Sequence, residues 1–268
     1  MVYENIIYNG ENGVGIITFN RPSARNALNE KMLTELINVM DEIDEDENIK
    51  AVIITGGEKY FCAGFDLKQI TQYEGKSKLP LVKIVDRIRY FQKRIESCTR
   101  PVIAAVCGPC LAGGLEIAIS CDLRVVSDTA KLGFPEIRFG GLANAGATQR
   151  LPRMIPLALA KEMHLLGDYI SANEAFRIGL VNRVVSPTDV LPEAKKMAEK
   201  ISNYSSPAVK LCKFLINTGV KMDVTTAMDY ERELSIYLLE DSGFEKAKQE
   251  AAEREKVYAH IFKKSGKK

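Results

Sequence analysis

Histidine is scarce in this chain of 268 residues. Its two histidines, His164 and His260, neighbour no nucleophile, and no G-x-S-x-G stretch occurs, so a nucleophile elbow served by histidine is excluded. No apolar run approaches the ~18 residues that a membrane-spanning helix needs, and no signal pattern opens the chain. A net charge of +2 is too small for bulk attraction to nucleic acid or a membrane surface. The six cysteines, at 62, 98, 107, 110, 121 and 212, do not form two metal-type pairs. Most have apolar neighbours, as reduced packing thiols in a cytoplasm do. The expectation is therefore a cytoplasmic protein with no metal and with no nucleic-acid or membrane partner. If it is an enzyme, carboxylates or thiols must move its protons.

A hydrophobic content of 46% is ample for a core, and the length suits one large domain or a domain with a small helical appendage. Apolar runs at 6–8, 14–19, 51–55 and 102–106 read as strands, with a turn at 9–13. Asn29 is placed to cap a helix in which Leu33, Leu36, Ile37, Met40 and Ile43 follow helical spacing. The acidic run at 41–47 that ends this helix reads as a solvated face. Strands are also expected at 123–127 and 131–134, and helices at 84–95 and from Gly146. Ser171 and Glu174 form a capping-box pattern, and Gly179 a stop. From Leu191 the pattern is helical. Strands alternating with helices argue an α/β core over residues 1–200, followed by a helical region, 201–268, for assembly.

The stretch that organises the rest is CGPCLAGGLEIAISCD, residues 107–122. A buried strand enters a glycine turn, and the turn opens a helix. The first N–H groups of a helix lack internal partners and carry the positive end of its dipole, so an oxyanion is stabilised there. Gly113 leaves room for close approach, and Glu116 follows one turn later on the same face. The stretch GGEKYFCAGFD, residues 56–66, repeats the pattern after strand 51–55. Three other readings stand beside this one. CGPC resembles a redox dithiol, although glycines follow its second Cys. A phosphate loop lacks its Lys, since Gly114 stands there. Glu116 as a structural partner of Arg124 is the third.

Four stretches taken together resemble the enoyl-CoA hydratase/isomerase (crotonase) family. They are NRPSARNALN at 20–29, FCAGFDLKQI at 61–70, CGPCLAGGLEIAISCDLR at 107–124 and FPEIRFGGLANAGATQRL at 134–151, and GDYISANEAFRIGLVNRVV at 167–185 also matches. The resemblance implies an α/β spiral of ββα units with C-terminal helices that build a homotrimer or homohexamer. It implies an acyl-CoA substrate and no cofactor, coenzyme A being part of the substrate. By position it implies an oxyanion hole from the N–H groups of Phe65 and Gly113. Ala63, Asp66, Leu67 and Lys68 match the CoA-binding segment, and Arg25 the adenine end. The family's two catalytic glutamates match Glu116 and Glu136. Simple isomerases of the family often keep only the second, whereas hydratases keep both. The expected reaction is therefore reversible addition of water across the 2,3 double bond of an enoyl-CoA. A double-bond isomerase, or a dienoyl-CoA or cyclic dienoyl-CoA hydratase, is the alternative. RNA binding, reported for a lysine-rich branch of the family, is disfavoured by the acidic run at 41–47.

The chain departs from the family at three places. Cys107 and Cys110 replace the usual Asn and Ala, and FEKAKQEAAEREK at 244–256 replaces the common ending. Asn144 stands where hydratases have Gly and dienoyl isomerases Asp. It is a candidate specificity position, with a cap on the helix from Gly146 as the other reading. Acyl specificity is otherwise expected from the loop at 71–80 and the helix after it.

Overall fold

A computed structural model describes residues 2–66, 68–69 and 79–240. Two compact units are formed, Met1–Ile201 and Ser202–Lys268.

The first unit begins with an antiparallel hairpin of β1 (Ile6–Glu11) and β2 (Val14–Phe19). Asn12 and Gly13 both take positive φ, 50° and 78°. That is the tight turn whose twist matches the strands, and Asn-Gly favours it. The expected five-residue turn is thus confined to two residues, and Asn9, Gly10 and Glu11 extend β1. Helix α1 (Glu30–Glu45) starts where Asn29 accepts the Met32 N–H at 2.7 Å. Its apolar stripe, Met32, Leu33, Leu36, Met40 and Ile43, is fully buried. β3 (Ala51–Thr55), α2 (Leu79–Ser97) and β4 (Val102–Val106) follow.

The acidic end of α1 is not simply solvated. Arg94 of α2 bonds Asp41 at 2.6 Å and Asp44 at 2.8 Å, and the Tyr3 hydroxyl donates to Glu42 at 2.8 Å. Charge density on one helix end recruits cations from a helix packed beside it, which no local pattern announces.

After β4 the chain forms β5 (Pro109–Leu111), then α3 (Gly113–Ala118), β6 (Leu123–Ser127) and β7 (Lys131–Gly133). α4 (Ala147–Arg150), α5 (Leu157–Leu166), β8 (Ile170–Ser171), α6 (Ala172–Arg177), β9 (Arg183–Val185) and α7 (Val190–Ser202) complete the unit. Ser171 caps α6 by accepting the Glu174 N–H at 3.2 Å. β5 differs from the expected uninterrupted glycine turn. Its Pro109 sits at the first residue of the strand, where a missing N–H is tolerated.

A six-stranded sheet has the order β1-β2-β3-β4-β6-β9, parallel beyond the first pair, and a three-stranded sheet the order β5-β7-β8. β4 and β6 each leave the large sheet for a short strand in the small one before the next helical turn. This is the expected α/β spiral of ββα units. Side chains alternate across the large sheet. Val52, Ile54, Ala104 and Val106 face the main core, while Ile53, Ile103 and Ala105 face α7 through Val190 and Ala194.

In the second unit, Ser205 caps α8 (Ser206–Gly219), which packs with α9 (Val224–Glu240) through the rings of Phe214 and Tyr230, 6.2 Å apart. Leu67, Ile70, residues 71–78 of the specificity loop expected at 71–80 and the C-terminal stretch at 244–256 lie outside the described residues.

Candidate active site

Two strand–loop–helix turns lie against each other. Cys62 and Cys110 pair as a parallel bridge: Phe61 and Cys62 donate to the Pro109 carbonyl at 3.1 and 3.2 Å, and Leu111 donates to the Cys62 carbonyl at 3.0 Å. Asn26 pins the first loop from below. It is 2% exposed and takes positive φ, 55°. Its Nδ2 donates to the carbonyls of Gly56, Tyr60 and Phe61 at 2.8, 3.0 and 3.3 Å, and its Oδ1 accepts the Arg21 N–H at 3.0 Å. An Asn in a polar loop tolerates left-handed backbone, but nothing in the sequence marks this one as the hub.

Leu28 zips to the segment around Phe65. Leu28 donates to Gly64 at 2.7 Å and Asp66 donates back at 3.0 Å. In a parallel bridge this turns the Phe65 N–H to the opposite side, where it has no acceptor among the described residues. The N–H of Gly113 opens α3 and also lacks an acceptor among the described residues. The two loops meet closely. A Cβ on Gly64, which has φ of +97°, would lie 2.6 Å from Ala112 Cβ and 3.4 Å from the Gly113 nitrogen, and one on Gly113 would lie 3.7 Å from the Phe65 ring. Ala112, at φ 52° and ψ −129°, holds a positive-φ conformation that costs a non-glycine residue strain of about 1–3 kcal/mol. Strain of this kind persists only where surrounding contacts over-determine it, as the Ala112 N–H bond to Gly133 at 2.9 Å does here. Two donors without acceptors on adjoining loops form an arrangement able to hold an oxyanion.

Glu116 is fully buried one turn into α3. Its Oε1 accepts the Ala147 N–H at 3.1 Å, and its Oε2 has no partner among the described residues. Burial pushes this carboxyl up to about 7, and the charge of Glu136 adds to the rise. The N–H groups of Ala147 and Ala145 and the Arg150 guanidinium oppose it. Glu136 stands on a turn of 3-10 helix, Pro135–Phe139, with its Oε2 also buried and unpaired among the described residues, and burial raises its carboxyl too. The structure overturns the Arg124 ion-pair reading. Arg124 donates instead to the carbonyls of Leu180, Ala118 and Cys121 at 2.7, 3.2 and 2.7 Å.

The matched CoA segment surrounds the first loop. Arg25 is exposed, with its guanidinium 5.9 Å from the Tyr60 ring centre, and its carbonyl accepts the Ala63 N–H at 3.1 Å. Asp66 is tied by Arg21 at 2.8 Å and accepts the N–H of exposed Lys68 at 3.1 Å. Arg21 was missed in the sequence, because its carboxylate partner lies on another loop. Asn144 is exposed, and the cap on α4 is Gly146, without a side-chain bond. The capping reading of Asn144 therefore fails.

Cys107 and Cys110 face opposite sides of the fold. Cys107 belongs to the cluster under α7 and lies 3.5 Å from the Pro187 carbonyl, whereas Cys110 belongs to the main core beside Cys62. Burial raises both thiols, so neither supplies a thiolate readily. Among the described residues no cluster of His, Cys, Asp and Glu suits a metal ion, and no helix is long and apolar enough to cross a membrane.

Known proteins carry the same framework. A solved enoyl-CoA hydratase from Bacillus anthracis superposes with a TM-score of 0.89 at 36% identity, covering 94% of this chain and 97% of that one. The short-chain-enoyl-CoA hydratase of Clostridium acetobutylicum is 43% identical over 87% of this chain and 88% of its own length. The crotonyl-CoA hydratase of Syntrophomonas wolfei is 41% identical over 86% and 88%. The family model described as enoyl-CoA hydratase/isomerase matches residues 9–260, so both glutamates and both glycine loops fall inside the match, and the chain belongs to the enoyl-CoA hydratase/isomerase family.

Proposed function

We propose that this protein adds water reversibly across the 2,3 double bond of an enoyl-CoA thioester. The observation that carries the reading is the pair of carboxyls on fully buried Glu116 and half-buried Glu136, each with a buried, unpaired oxygen among the described residues and each pushed upward in pKa by burial. Hydration needs a base for water and an acid for carbon, and two carboxyls together can supply both. Glu116 takes a proton from water as the water oxygen bonds C3. Glu136 gives its proton to C2. The thioester oxygen gains negative charge in between, and the N–H groups of Phe65 and Gly113 receive it. Dehydration runs the same steps backward. An isomerase needs one proton-shuttling carboxyl, so a second one with a buried, unpaired oxygen favours hydration over that alternative.

Arg25, Ala63, Asp66 and Lys68 are assigned to the CoA moiety. Relatives named for short-chain and crotonyl substrates support a short acyl group. Asn144 retains the role of a specificity position for conjugated or cyclic acyl groups. The second unit exposes Ile216, Met228, Tyr237 and Leu239, which supports assembly into a homotrimer or homohexamer through residues 201–268. The test is spectroscopic. Purified protein mixed with crotonyl-CoA should bleach the conjugated enoyl absorbance and yield the 3-hydroxyacyl product. Absence of turnover across short, long, branched and cyclic enoyl-CoAs overturns the reading.

A further inference from the structure

The Ala147 N–H that meets Glu116 belongs to a turn with its own anchor. Arg150 reaches back over this turn. Its Nη1 donates to the Ala145 carbonyl at 3.1 Å and to Gln92 Oε1 at 3.0 Å, and its Nε donates to Glu96 Oε1 at 2.6 Å. Gln92 and Glu96 lie on α2, and Gln92 is completely buried. Gly146 makes the reach possible. At φ +115° it has no side chain, and a Cβ there would lie 2.0 Å from Arg150 Nη1. A planar guanidinium with several fixed donors suits such a clamp, where a lysine ammonium does not.

We propose that Arg150 is a positioning residue for the reaction: clamped by Gln92 and Glu96, it holds the Ala145–Ala147 turn so that the Ala147 N–H meets Glu116, and it supplies the positive field in which that carboxylate works. The proposal rests on the hydratase reading of Glu116. The groups that face Glu116 are Glu136 from the 3-10 turn, the Ala145 and Ala147 backbone, and Arg150. Those around Arg150 are Glu96 and Arg89 of α2 and Arg153, which line a cavity of about 460 Å³ with it. His164 of α5 stacks on Phe134 with ring centres 4.7 Å apart, and its buried Nε2 has no partner among the described residues. Its burial favours the neutral ring. Arg150 thus provides the positive charge that acts on Glu116, and Glu96 tempers it.

The sign of two opposite substitutions tests this. Carbon-13 NMR of the glutamate carboxyls, with Glu116 assigned by its loss in Glu116→Gln, reads the titration directly. Arg150→Met should raise the Glu116 midpoint by about one pH unit, and Glu96→Gln should lower it. With crotonyl-CoA at pH 7, Arg150→Met should reduce kcat roughly fivefold to tenfold with KM within about threefold, and the deficit should shrink by pH 9 as Glu116 ionises. Arg150→Lys keeps the charge but loses the fork of donors, so it should raise the midpoint by less than Arg150→Met does. Unmoved midpoints in both charge variants, or a deficit equal at every pH, overturn the proposal. If Arg150→Met does not fold, Glu96→Gln and Arg150→Lys carry the sign test. Variants that show these titration shifts, beside a wild-type protein that hydrates no enoyl-CoA, overturn the hydratase reading alone.

Discussion

The backbone N–H of Ala147 donates to Glu116 Oε1 at 3.1 Å, joining groups 31 residues apart. One oxygen of the carboxylate is thereby fixed, while the other remains unpaired among the described residues. The N–H groups of Ala147 and Ala145 and the Arg150 guanidinium do not offset the burial of the charge. Glu116 therefore titrates near neutrality, where a base that accepts a proton and gives it back works best.

Removing either acid should stop the chemistry while leaving the shape. Glu116→Gln and Glu136→Gln should each lower hydration of crotonyl-CoA by roughly 10²-fold or more, with CoA-ester binding retained by calorimetry. Near-wild-type turnover in either variant would rule out the two-carboxyl mechanism.

The same Glu116→Gln change should stabilise the protein at neutral pH. The carboxyl rises from its ordinary 4.5 to about 7 on folding. A raised acid binds protons more tightly folded than unfolded, so its ionisation costs stability as pH rises from about 4.5 through about 7. Melting curves should show the variant ahead of wild type at pH 8, by an amount on the order of a few kcal/mol, and level with it near pH 4. Equal melting temperatures at pH 8 would show that Glu116 is not strained by burial.

The thiols should prove dispensable for turnover. Cys107 and Cys110 pack into separate clusters, so Cys107→Ser with Cys110→Ala should keep activity within about an order of magnitude, the loss reflecting repacking. A stable Cys107–Cys110 disulfide under cytosolic reducing potential, detected by mass spectrometry, would contradict the structure.

Asn144→Gly separates specificity from stability. Because Asn144 is exposed and does not cap α4, the melting temperature should stay within about 2 °C of wild type. Under the specificity reading the preference between dienoyl and simple enoyl substrates should change. An unchanged ranking removes Asn144 from acyl selection.

Features set by near neighbours were legible in the sequence. Asn29 announced the start of α1 because a cap bonds three residues ahead. β3 and β4 were legible as short apolar runs, and the two glycine loops as breaks at their ends. Glu116 was legible from the opening of its helix and Glu136 by resemblance alone, and the burial of their unpaired oxygens was not legible at all. The tertiary structure alone decided what ties these pieces together. Asn26 collects three carbonyls of a loop 30 to 35 residues away, Arg94 pairs with Asp41 and Asp44 across 53 and 50 residues, and Arg150 reaches Gln92 across 58. Pro109–Leu111 became a strand because β7 lay beside it, not because its own residues favour one. A side chain's local pattern determines which secondary structure it suits, whereas its hydrogen-bond partner and its exposure to water depend on which distant segment packing brings within about 3 Å.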